Sequence, residues 1–179
     1  PYVSPSKTGE MVTTAFAEQQ AYFDGLYGSL EVPYSENRFE ASPLNRIVRS
    51  YSPGKIFRTQ EKYIGFEYAS NAADEVRRIV PNTLRNGLTI NGCYAAGQLF
   101  KERATDEDGG ITETFRDKQK RTILTRSSDG TTILDTYYIY DDTGNLCYVL
   151  PPAFSVSLGN TTELMDGADA VTQFAYIYK

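Results

Sequence analysis

The chain has no histidine and no tryptophan. Without histidine, the Ser-His and Cys-His pairs that activate a nucleophile cannot be assembled. The imidazole ligands favoured by most protein metal sites are missing too. Cysteine is nearly absent: Cys93 and Cys147 are the only two, too few for a zinc site. They can pair in an exported protein or sit as small buried strand residues. Sequence alone does not establish the geometry a disulfide needs. No stretch approaches the roughly 20 apolar residues of a membrane helix, so no membrane span is expected. No long basic run occurs either, and 18 Lys and Arg against 23 Asp and Glu leave a net charge of −5. Non-specific nucleic-acid binding depends on neutralising phosphates, so this balance argues against a nucleic-acid partner. The one local basic group, Lys118, Lys120, Arg121 and Arg126, reads as a solvated strand face. The first residue is Pro1 rather than Met. The start therefore reads as cut, and the lack of a visible leader says little about export.

What the chain does have is tyrosine, 14 of them, and turn residues at regular intervals. The most informative stretch is Tyr138-Ile139-Tyr140-Asp141-Asp142-Thr143-Gly144-Asn145-Leu146. Tyr138 and Tyr140 lie two apart and share one face of an extended strand. Asp141 can accept from backbone N–H groups ahead of it and start a turn. Gly144 supplies the positive φ of a type I turn closed through a bulge. Leu146, Tyr148 and Leu150 resume the alternation, and Pro151-Pro152 stops the strand.

The same texture runs from about residue 31 onward. Candidate strands are Arg46–Ser50, Tyr63–Ala69, Glu75–Val80, Leu88–Ile90, Gly97–Thr105, Ile111–Arg116, Arg121–Arg126, Thr131–Tyr140 and Leu146–Leu150. Turns are expected at Ser52-Pro53-Gly54, Asn86-Gly87, Asn91-Gly92, Asp106–Gly110, Ser128-Asp129-Gly130 and Asp141–Asn145. Asp129-Gly130 reads as a two-residue hairpin loop that sets Thr125 near Leu134 and Ile123 near Thr136. The expected fold is mainly β: an antiparallel meander of hairpins in a twisted, curling sheet. One N-terminal α-helix, about Ala15 to Tyr27, is started by Thr14 and ended by Gly28; it is short enough to need packing against a sheet. Residues 1–30 form a lead-in and 31–179 the β domain. The segment from about Val156 to Ala170 is a long polar connection. The final Gln173–Lys179 resembles the Tyr138 strand cut before its turn.

The Tyr-Asp cassette has relatives. Phe115-Arg116-Asp117-Lys118-Gln119-Lys120-Arg121 lies over Ile139–Asn145, with Asp117 placed 24 residues before Asp141 and Lys120 where the glycine should be. Tyr94, Gly97 and Leu99 keep the Tyr, Gly, Leu order. Phe39 to Arg46 is a decayed version, with Asn45 at the positive-φ position and Arg46 after it. On these residues the chain resembles the RHS/YD-repeat family, whose pattern is roughly Tyr-x-Tyr-Asp-x-x-Gly-Arg/Asn-Leu. Ser42-Pro43-Leu44-Asn45-Arg46 through Ser52-Pro53-Gly54 looks like that family's Asp-Pro-Leu-Gly-Arg … Pro-Gly unit. The resemblance spans about residues 35–179 and is strongest over 94–152. It implies a slice of a large, exported or surface-associated bacterial protein whose repeats curl into a β-shell around a C-terminal effector, often a toxin. The expected partners are then the remaining repeats and that effector. The expected role is structural, with no catalysis and no cofactor.

Other chemistry is weaker. Asp106-Glu107-Asp108-Gly109-Gly110 lacks the further oxygens and the distal glutamate of a calcium loop. Asp141 with Asp142, or Asp117 with Glu113, could be read as a glycosidase pair, but adjacent strand residues point to opposite faces and the turn already uses Asp141. Gly87, Gly92 and Gly97 lack phosphate-loop spacing. The alternative function kept open is a carbohydrate-binding module that uses exposed tyrosines, with a glycan as partner.

Overall fold

The computed structural model describes residues 12–28, 32–84, 86–158, 163–165 and 175–178. The chain divides into two compact units, residues 1–65 and 66–179. The N-terminal unit holds α1 (Ala15–Tyr27), β1 (Glu36–Phe39), β2 (Ile47–Tyr51), α2 (Lys55–Thr59) and the start of β3 (Ile64–Ser70).

Helix α1 has the bounds its sequence suggested. The Glu18 N–H bonds the Thr14 carbonyl at 2.9 Å, and the Thr14 hydroxyl bonds the Glu18 carboxylate at 2.7 Å rather than a backbone amide. Gly28, at φ 90°, ends the helix by donating its N–H to the Asp24 carbonyl. The expected packing against a sheet is not found: α1 buries none of its residues, because its apolar positions are too scattered to form one stripe. In the same unit β1 pairs antiparallel with β2, and β2 with the start of β3.

The C-terminal unit adds β4 (Arg77–Pro81), β5 (Gly87–Cys93), β6 (Phe100–Thr105), β7 (Ile111–Arg116), β8 (Thr122–Ser128), β9 (Ile133–Tyr140), β10 (Leu146–Leu150), α3 (Pro152–Ser157), β11 (Glu163–Met165) and β12 (Tyr176–Ile177). Its main sheet runs β3-β6-β7-β8-β9-β10-β12 and a smaller one runs β11-β5-β4. From β6 to β10 each strand pairs antiparallel with the next, the meander that the short connections dictate. One lateral row crosses four of these strands: Phe115 faces Leu124, Leu124 faces Tyr137, and Tyr137 faces Leu150. All four are buried and cluster with Val76, Ile79 and Leu88 of the smaller-sheet region and with Phe154 and Leu158 at α3. The smaller sheet and α3 therefore cover one face of the main sheet. Each large side chain fully buried this way contributes roughly 1.5–3 kcal/mol.

Several local expectations are corrected. Asn91-Gly92 is not a turn; it lies inside β5, where Gly92 at φ 65° forms a bulge opposite Arg77 to Ile79. The β8–β9 hairpin is shifted by two residues from the expected register: Thr125 faces Thr136 and Ser127 faces Leu134. The loop is longer because the Asp129 carboxylate gathers the N–H groups of both Thr131 and Thr132. Pro152 ends β10 but also opens α3 at its first turn, where a missing N–H costs nothing. The single expected helix thus gains two short companions, α2 and α3, and β1 and β11 are further strands. Part of the expected long connection is ordered as the end of α3 and as β11 on β5; residues 159–162 and 166–170 lie outside the described set. Tyr176 and Ile177 pair with Val149 and Tyr148, and residues 173, 174 and 179 are not described.

Candidate functional site

Three turns share one hydrogen-bond pattern. In the β9–β10 turn the Asp141 N–H donates to the Asn145 carbonyl at 2.9 Å, and the Gly144 N–H donates to the Asp141 carbonyl at 3.0 Å. One Asp141 carboxylate oxygen accepts the N–H groups of Thr143 and Asn145 at 3.0 and 2.8 Å, plus the Thr143 hydroxyl. The other accepts the Asn145 side-chain amide at 3.1 Å. These donors, the Thr143 hydroxyl foremost, hold the carboxyl far below its ordinary range. In the β7–β8 turn, Asp117 repeats the pattern: its N–H reaches the Arg121 carbonyl, its carbonyl takes the Lys120 N–H, and its carboxylate takes those of Gln119 and Arg121. Arg121 Nε replaces the asparagine amide at 2.7 Å. The third copy is the β6–β7 turn, where Asp106 accepts from Asp108 and Gly110. That copy was visible in sequence as Asp-x-x-Gly, the spacing of Asp141 and Gly144.

The shared positive-φ position is Gly144 at 90°, Gly109 at 91° and Lys120 at 66°. Lys120 accepts the left-handed conformation that costs a side-chain-bearing residue roughly 1–2 kcal/mol. Beyond the turn the likeness continues. Register slips between Phe115 and Arg116 opposite β8, leaving Ile123 extra, and between Leu146 and Tyr148 opposite β9, leaving Cys147 extra. Both bulges fall six residues after their aspartate, so turn and bulge repeat together over 24 residues.

The looser relatives use the same chemistry with longer loops. The Glu40 N–H bonds the Arg46 carbonyl, Asn45 has φ 50°, and Arg46 grips the Glu40 carboxylate at 2.8 and 2.9 Å. The Arg46 contacts and the Ser42 hydroxyl lower the Glu40 carboxyl from 4.5 to about 2. At Leu99, Asn71 does the aspartate's work from the end of β3. Its N–H donates to the Leu99 carbonyl, its side-chain oxygen accepts the Leu99 N–H, and its carbonyl accepts from Gly97 at φ 78°. The β4–β5 hairpin lies between Asn71 and Leu99, as if inserted in an enlarged turn. Asn71 is 2% exposed and was missed in sequence because its partner is 28 residues away.

Seven of the motif residues meet in one open cleft of about 830 Å³ in the C-terminal unit: Tyr94, Leu99, Asp117, Tyr138, Tyr140, Asp141 and Gly144. Arg121 joins two cassettes there. Its guanidinium holds Asp117, lies 4.9 Å from the Tyr140 ring centroid, and places Nη1 3.4 Å from where a Gly144 Cβ would stand. Burial pushes the Tyr94 and Tyr140 phenols up from their ordinary value. Of the others, Phe115 is in the core, Gly97 and Asn145 belong to their turns, Leu146 pairs with Tyr140, and Arg46 lies in the N-terminal unit.

A second feature escaped sequence reading. Arg103, Glu113, Arg126 and Asp135 face one another across β6 to β9, beside the Phe115 row. Arg126 binds Asp135 at 2.7 and 2.8 Å, and Lys101 binds Glu75 and Glu113 while sitting 5.2 Å from the Phe115 ring. Burial alone would raise the Glu75 carboxyl, but the bonds from Lys101 and the Ala72 N–H outweigh it and lower it. Arg126 is therefore an internal ion-pair partner rather than part of a solvated basic face. Of the candidate glycosidase carboxylates, Glu113 is engaged by Lys101, Asp117 by its turn and Arg121, and Asp141 by its turn, while Asp142 is exposed at the turn tip. Among the described residues no cluster of three or more Cys, Asp or Glu is placed to hold a metal ion, and no helix is long and apolar enough to cross a membrane.

A family model matches the front of the chain. Residues 1–70 match the domain of unknown function DUF6443. The match ends at the last residue of β3, five residues past the division between the two units, and its description carries no activity. No curated protein and no solved structure matches the chain.

Proposed function

We propose that this chain is a structural segment of an exported RHS/YD-type shell or scaffold, without catalytic activity of its own. The observation that carries the reading is the turn and bulge repeated at a 24-residue offset in alternate hairpins of one sheet, β7–β8 and β9–β10. A hairpin alone buries little; repeated hairpins laid side by side, stitched by Arg121 and covered on one face, make a barrier. On this reading its partners are neighbouring repeats and an enclosed effector, and its place is outside the cell or at its surface. Cryo-electron microscopy of the natural polypeptide that carries this sequence tests the proposal. Strands β6 to β10 should form part of a continuous curling wall. Finding them as a free-standing module would refute it.

A second reading, a carbohydrate-binding module, is favoured by the cleft bordered by Tyr94, Tyr138 and Tyr140, since aromatic rings beside polar groups suit sugars. A glycan array with Tyr→Ala variants separates the two. Saturable binding lost in those variants supports the module; no binding leaves the wall.

A further inference from the structure

The cleft contains donors that the fold leaves unused. Arg78 lines it from β4, is exposed, and makes no hydrogen bond or ion pair among the described residues. Arg121 spends Nε on Asp117 and Nη2 on Gln119, while Nη1 bonds nothing described. Both arginines line the cleft that Tyr94 also borders. Lys118 lines the cleft, exposed and unengaged, and the phenols of Tyr94, Tyr138 and Tyr140 have no described hydrogen-bond partner. Acceptors are scarcer. The Asp117 and Asp141 carboxylates are committed to their turns, which leaves Asp142, exposed at the turn tip, as the remaining carboxylate.

A lining with donors in excess suits a ligand rich in acceptors. Guanidinium forks bind carboxylate and phosphate in two parallel bonds, which neutral hydroxyls cannot match. The space, about 830 Å³, falls in the range of small-molecule sites, roughly 300–1,000 Å³. We propose that this cleft binds a small ligand bearing an oxyanion, a carboxylate or phosphate seated on Arg78 and Arg121 with its body among the tyrosine rings. The site stands independently of the wall reading, and it narrows the sugar reading to acidic ligands.

The test is a ¹H–¹⁵N NMR titration of the chain with inorganic phosphate, acetate, glucuronate and glucose at low salt. The expected result is saturable shifts at cleft residues with at least one oxyanion and none with glucose; the phosphate and carboxylate arms say which group is preferred. Arg78→Gln, a surface change that should leave the melting midpoint alone, should weaken that binding at least tenfold, and Lys118→Gln less. No saturable shift with any oxyanion up to tens of millimolar, equal binding of glucose, or unchanged affinity in Arg78→Gln would each overturn the proposal.

Discussion

Each of the two units has its own kind of core. Among its described residues the unit of residues 1–65 buries one hydrophobic side chain, Tyr51, at 2% exposure. Its ring is flanked by the guanidinium groups of Arg38 at 4.9 Å and Arg58 at 5.3 Å, and by the Tyr63 ring at 5.2 Å. Arg49 lies over Tyr63 in turn. Among its described residues the unit of residues 66–179 buries a cluster of 13 hydrophobic residues under its smaller sheet and α3. The difference teaches that layered strands with a covered face generate an apolar core, whereas two short ribbons with exposed helices rely on cations stacked on rings. The thin core leaves Phe16, Leu26 and Tyr27 of α1 largely exposed.

The largest test of that contrast is Phe115→Ala. Phe115 is fully buried and central, so the substitution should cost the C-terminal unit about 3–5 kcal/mol, read from urea unfolding followed by tyrosine fluorescence. Tyr51→Leu keeps an apolar side chain but removes the ring under Arg38 and Arg58. The N-terminal unit should lose about 1–2 kcal/mol, and high salt should shrink the difference; an equal loss at all salt concentrations would argue for plain packing.

A sharper comparison sits at one turn position. Gly144→Val forces a β-branched residue to φ 90° beside Arg121 and should destabilise by about 1–3 kcal/mol. Lys120→Gly, at the same place in the preceding cassette, should stabilise by up to about 1 kcal/mol as the strained φ is relieved. Thermal melts of both variants read the opposite signs; like signs would break the equivalence of the two turns.

The smallest effect is acid loosening. The N–H groups of Thr132 and Thr131 and the Thr131 hydroxyl lower the Asp129 carboxyl from 3.8 to about 2. A depressed carboxyl stabilises the fold above its unfolded value and loses that contribution as pH falls through the folded one. Stability contributed by Asp129 should therefore decline between about pH 4 and pH 2, and melts of Asp129→Asn should show a flatter profile there.

Much of this was legible in the chain itself. Alternation and glycine-type corners located β2 to β10 to within a few residues, and the offset between Asp117 and Asp141 anticipated a repeat that the bulges then extended. The polar β1 and the five-residue α2 gave no periodic signal. Asn71 and the Arg103–Glu113–Arg126–Asp135 row escaped because they join positions distant in sequence, and only strand register brings them together. The Asp129 register was misread because a carboxylate that gathers two amides lengthens a loop that Asp-Gly alone would keep at two residues.

The most direct measurement is native-state amide exchange at Gly110, Arg121 and Asn145, the amides four residues after each turn aspartate, which donate to its carboxylate at 2.7, 2.9 and 2.8 Å. If the cassettes are one repeated device, all three should be protected in the parent chain. Asp117→Ala should release Arg121, and Asp141→Ala should release Asn145, each leaving the other two slow. Fast exchange at all three in the parent, as in an ordinary surface loop, would contradict the account.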